Sequence, residues 1–123
     1  MMRRLDNIQW IRILITVWYL VGVAGFAIEP LRPLFRFLTP FGMLAATVLL
    51  LAFHEPRNLK SAIVFAAIAL AGFIAELVGV NTGLLFGSYE YGQVLGLKIG
   101  NTPLVIGLNW LVLVYCVASL LRP

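Results

Sequence analysis

A chain of 123 residues that is 62% hydrophobic and 11% charged, with a mean hydropathy of +1.00, has too little polar surface to coat a water-soluble domain; lipid is its expected solvent. The net charge of +4 comes from nine Lys and Arg against five acids, spread over the ends and loops with no aromatic-interleaved basic stripe, which argues against nucleic acid as a partner. The single cysteine, Cys116, lies in an apolar run without a disulfide partner or metal-ligand companions, so disulfide scaffolds and cysteine-based metal centres drop out, and it reads as a small packing residue.

Apolar runs at residues 8–28, 40–53, 61–80 and 103–121 are separated by clusters of Pro, Gly, Arg and Asn. They predict an all-α fold, an integral membrane bundle of about four transmembrane helices in a single domain over residues 1–123. The first run follows a basic start, Arg3-Arg4, and can also be read as a signal peptide with Gly25-Phe26-Ala27 as its cleavage site. The length of the run, and a mature chain that would begin Ile28-Glu29-Pro30, favour a helix. Trp10 suits an interfacial aromatic belt, and Arg12 can snorkel to the same interface.

The second run would span only ~21 Å from Pro40 with Thr39 as N-cap, less than a hydrocarbon core. It either begins near Leu34 and kinks at Pro40 or is locally mismatched; the helix is set at 37–53. The fourth is expected to start with Thr102 as N-cap and Pro103 in its first turn. Arg3, Arg4, Arg57, Lys60 and Arg122 on one side outnumber Arg32, Arg36 and Lys98 on the other, predicting a multi-pass cell-membrane protein with a cytoplasmic N-terminus. An even number of spans places the first loop, 29–37, and the third, 81–102, on one face.

Glu76 is the one acid inside an apolar run, and an ionisable group there costs a few kcal/mol, about 3, unless it is paired, neutralised or near water. It lies about one turn, ~6 Å, from the end of the third helix at Val80. The bland reading is a carboxylate that snorkels or fixes helix packing. The third loop, with glycines at 83, 87, 92, 96 and 100 and with Phe86, Tyr89 and Tyr91, is too long for a simple connection and too apolar for disorder. It is expected to be a Gly-rich re-entrant or interfacial segment, packed onto the bundle and containing short helical pieces. Taken alone, Tyr89 and Tyr91 also fit an interfacial belt. Asn109 and Trp110 fall ~10 Å into the fourth helix from the same side, so Trp110 shares a layer with Glu76 and its indole N–H wants a partner.

The ordered string Glu76-Leu-Val-Gly79-Val80-Asn-Thr82-Gly83-Leu-Leu-Phe86-Gly87-Ser-Tyr89-Glu-Tyr91, then Leu95-Gly96, Pro103-Leu104 and Trp110, resembles the carotenoid biosynthesis membrane-protein family, which includes carotenoid 1′,2′-hydratases and the bisanhydrobacterioruberin hydratase. The resemblance covers residues 75–115. Usual members are longer, with further helices after the equivalent of Trp110, so this chain reads as a short or partial member.

The resemblance implies acid-catalysed hydration of a terminal double bond of an acyclic carotenoid, a hydro-lyase reaction. Glu76 would donate the proton, and Trp110, Tyr89 and Tyr91 would face the carbocation. Thr82 or Asn109 would hold the water, and Phe86 would join them in binding substrate. It implies no cofactor and no metal; no phosphate loop or dinucleotide fingerprint is present. Expected partners are a carotenoid or other polyene lipid, the bilayer, and a second copy or another membrane chain. The alternative is a non-catalytic membrane subunit or truncated relative that keeps the family's helix packing. A small transporter is weaker, since one buried carboxylate supplies little for a substrate pathway.

Overall fold

The computed structural model describes residues 2–121, apart from the side chains of residues 2–8 and of Ile11. The orientation signals at Arg3, Arg4 and Arg122 therefore lie outside the described side chains. Four α-helices account for most of the described chain: α1 (Met2–Ala27), α2 (Arg32–Phe53), α3 (Leu59–Thr82) and α4 (Val105–Leu121). A 3-10 turn over Glu29–Leu31 precedes α2, and two short antiparallel strands, β1 (Lys98–Ile99) and β2 (Thr102–Pro103), precede α4. Two stretches, Glu29–Phe53 and Leu59–Thr82, are long and apolar enough to cross a membrane; Arg12–Ala27 and Val105–Leu120 are shorter apolar helices.

The chain divides into two compact units, Met1–Leu38 and Thr39–Pro123, and the division falls inside α2 beside Pro40. Within the first unit, Phe35 packs where a side chain at Gly25 would stand, and the rings of Phe26 and Phe35 meet edge-on at 6.2 Å. Arg32 donates from Nε to the carbonyl of Phe26, tying the start of α2 to the end of α1.

The second unit is built on α3 against α4. Asn58 caps α3 by accepting from the Ser61 amide at 2.8 Å, and Gly83 ends it in the left-handed region at φ 68°. Small residues bring the two helices together: Gly72 lies under Trp110, and a Cβ at Gly107 would stand 2.8 Å from the Ala69 carbonyl. The buried apolar side chains described are few, Val105, Ile106 and Leu111 among them. Large apolar side chains stand exposed on every helix, including Trp18, Leu49, Ile63 and Val117. That is the reverse of a water-soluble surface.

Three expectations need correction. The second helix starts at Arg32, not 37, and carries Pro40 inside it; prolines at 30 and 33 suit the preceding turn and the first helical turn, where their missing N–H costs nothing. The third loop contains no helical piece; residues 83–97 run through turns into β1. Thr102 and Pro103 do not begin α4 but form β2, pairing Ile99 with Thr102 and Lys98 with Pro103 across Gly100-Asn101. Those two residues have φ of 55° and 64°, the signs a two-residue type I′ turn needs. Thr102 is fully buried, with none of its surface exposed, which makes the hairpin part of the packing.

Candidate functional site

The face of α3 that meets α4 carries Gly72, Glu76 and Gly79, spaced four and three apart so that all three point the same way. Glycine on either side leaves room for other groups to close on the carboxylate. Glu76 is 9% exposed.

Its partners come from two directions. After α3, the left-handed residues Gly83 and Gly87 (φ 68° and 83°) turn the chain so that Phe86 and Tyr89 lie over Gly79. Tyr89 donates its hydroxyl to Oε2 of Glu76 at 2.8 Å, and Tyr91 donates to the same oxygen at 2.9 Å. From α4, the indole Nε1 of Trp110 donates to Oε1 at 3.0 Å. Tyr89 and Tyr91 stand two apart in a stretch without regular secondary structure, and both hydroxyls reach one oxygen.

Aromatic rings enclose the carboxylate. Tyr89 and Tyr91 meet edge-on at 5.8 Å, and Phe86 stacks on Trp110 at 6.4 Å with 29° between planes. Lys98 supports this wall by donating its ammonium to the Tyr91 carbonyl at 2.6 Å. The hairpin is held to α3 by Asn81, whose amide donates to the carbonyls of Leu77 and Gly100, both at 2.8 Å. A side chain at Gly100 would collide with Leu77.

The Tyr89 phenol is pushed up to about 12, first by burial, then by its hydrogen bond to Glu76 and the carboxylate's charge. Tyr91 is raised for the same reasons, with a further contribution from Tyr89. Both stay protonated donors at neutral pH. An ionised carboxyl offers about four acceptor sites, and three are used here, leaving one direction for another group. Electron-rich ring faces beside a carboxyl can stabilise a cation formed next to it.

Glu76, Tyr89, Tyr91, Trp110 and Phe86 thus come together. Thr82 does not join them: its hydroxyl donates back to the Val78 carbonyl at 2.6 Å and accepts from the Leu84 amide at the end of α3. Asn109 is exposed on α4. Among the described residues there is no group of three or more His, Cys, Asp or Glu able to hold a metal ion.

Sequence reasoning passed over two features. One is Asn81 with the Gly100-Asn101 turn, signalled by a Gly-Asn pair between Ile99 and Thr102. The other is a contact at the opposite end of α3, where Nδ1 of His54 lies 3.0 Å from the Tyr115 hydroxyl and both rings pack against Phe65. A lone His just past an apolar run was its only signal.

No curated protein and no solved structure matches the chain. Residues 37–123 match a family described as carotenoid biosynthesis protein. The match takes in every residue of the Glu76 cluster and more than two thirds of the sequence, and the chain belongs to the carotenoid biosynthesis protein family.

Proposed function

We propose that this chain is a multi-pass membrane protein that hydrates a terminal double bond of an acyclic carotenoid, with Glu76 as the proton donor. The observation that carries the reading is the buried carboxyl of Glu76, held by Tyr89, Tyr91 and Trp110 within a wall of aromatic rings. The exposed apolar surface of all four helices supports a lipid environment, where the substrate itself resides.

The chemistry balances without a cofactor. Glu76 first takes up a proton at the acceptor direction that its three donors leave free, and the acid then gives that proton to the less substituted alkene carbon; the O–H bond breaks as the π pair forms the new C–H bond. The positive charge left on the tertiary carbon faces the aromatic rings. A water oxygen bonds to that carbon and loses a proton to the Glu76 carboxylate, which restores the acid. The net change is addition of one water. Thr82 and Asn109, being turned to other partners or to the surface, are weaker candidates for holding that water than the tyrosine hydroxyls.

The test is expression in cells that accumulate an acyclic carotenoid, followed by mass analysis of the pigments. Wild type should add one water, and Glu76→Gln should add none while accumulating in membranes to a similar level. The amide keeps size and hydrogen bonding, because its NH₂ can donate to the tyrosine oxygens while its carbonyl still accepts from Trp110. Continued hydration by the Gln variant would sink the mechanism.

A second reading has its own support. With three donors satisfied, Glu76 also serves as the pin that holds the loop to α3 and α4, the role expected of a non-catalytic membrane subunit. Loss of the protein itself in Glu76→Gln would favour that role.

A further inference from the structure

A groove of about 700 Å³ opens between α3 and α4 on the side of their crossing away from Glu76. Its long walls are Ala62, Phe65, Ala66 and Ala69 from α3 with Leu108 and Leu111 from α4. We propose that this groove holds the polyene chain of the substrate, whose end passes over Trp110 to reach Glu76; the reacting end rests on the hydratase reading, the groove does not.

Three features point to that occupant. The first is alignment: Ala62, Ala69 and Glu76 recur every seven residues, two helical turns, so the groove floor and the carboxyl lie on one stripe of α3. The second is adjacency. The groove ends at Ala69 and Leu111, where Ala69 meets Gly107, and the next residues beyond that contact are Gly72 and Trp110, whose indole spans from Gly72 to Glu76. The third is the order of chemistry along it. The walls are apolar for most of the length, and polar groups gather at the far end, where His54, Arg57, Asn58 and Ser61 close it.

Helix rise between Ser61 and Glu76 is ~22 Å, a path suited to an extended rod rather than a compact ligand. A conjugated hydrocarbon has few rotatable bonds to immobilise and no polar group to leave unpaired against alanine walls. Alanine at three of the six α3 positions that line it keeps the trough open.

The experiment uses purified full-length protein in detergent with an achiral acyclic polyene of carotenoid length. The readout is the circular dichroism induced in the polyene's visible absorption, which appears only in a chiral site. Ala66 and Ala62 are exposed in the trough, so Ala66→Phe and Ala62→Phe fill it without displacing packed neighbours. Val64 is exposed on another side of α3, and Val64→Phe is the control. Far-ultraviolet dichroism verifies that each variant keeps its helices.

Wild type and Val64→Phe should bind alike, with both alanine variants at least about tenfold weaker. Absence of an induced signal in wild type, or unchanged binding in both folded alanine variants, overturns the proposal. Pigment mass measured in parallel separates the two ideas. A bound polyene that gains no water supports the groove and removes the hydratase reading; hydration with unaffected alanine variants removes the groove and leaves the reading.

Discussion

Trp110 reaches across the α3–α4 contact to hold Oε1 of Glu76 at 3.0 Å, and it does so from directly above Gly72, where no other residue leaves room for an indole. Trp110→Phe keeps a ring in that space but removes the donor, leaving one carboxyl oxygen buried without its partner. The expected cost is ~1–3 kcal/mol, read by denaturant unfolding in detergent. Tyr89→Phe should cost less, because Tyr91 still serves the same oxygen. The two changes should not add, since both act on one carboxyl. Equal and additive costs would contradict a shared network.

Alkaline titration tests the state of the phenols. The Tyr89 value is raised from 10.0 to about 12, so folding favours the neutral form. The stabilisation this represents is fully present below pH 10 and is lost as pH rises through about 12. The difference between wild-type and Tyr89→Phe tyrosinate absorbance should therefore titrate late. A difference curve centred at the ordinary value of 10.0 would mean that Tyr89 does not sit against Glu76.

Two glycines should fail for different reasons. A Cβ at Gly79 would stand 2.7 Å from the Tyr89 hydroxyl and 3.0 Å from Phe86, so Gly79→Ala should push the loop away and loosen the tyrosine contact. Gly83→Ala has space, its nearest atom being 3.7 Å away, but φ of 68° costs about 1 kcal/mol in stability. Melting in detergent should fall for both. The late Tyr89 titration should move only in Gly79→Ala, and movement in neither would contradict the packing.

Tags at the two ends test the number of crossings. Four spans put both on one face, the cytoplasmic one if the Lys and Arg bias governs orientation. Protection of only one tag in sealed inverted vesicles would contradict the four crossings, and protection of both would contradict the cytoplasmic orientation alone.

Helices were legible where apolar runs are long, because a run of ~20 residues in lipid has little option but to satisfy its own backbone. Glu76 and Trp110 were legible as neighbours from helical rise alone, each being counted from the shared end of α3 and α4. The tyrosines were not, because an aromatic in a loop after a membrane helix fits an interfacial belt equally well. Only the turns at Gly83 and Gly87 send both phenols inward. The hairpin was missed because Thr102-Pro103 is also a strong helix-start pair; pairing with Lys98 and Ile99 outweighed that local preference. Thr82 and Asn109 were placed by depth, and depth says nothing about which side of a helix a residue occupies.

The partners of Glu76 follow it in the chain by 13, 15 and 34 positions. Synthesis runs from the N-terminus, at ~5–20 residues per second, so a ribosome delivers the acid seconds before the indole. The carboxyl on α3 therefore waits first for the tyrosines and then for α4, and its three donors are complete only once Trp110 has been made.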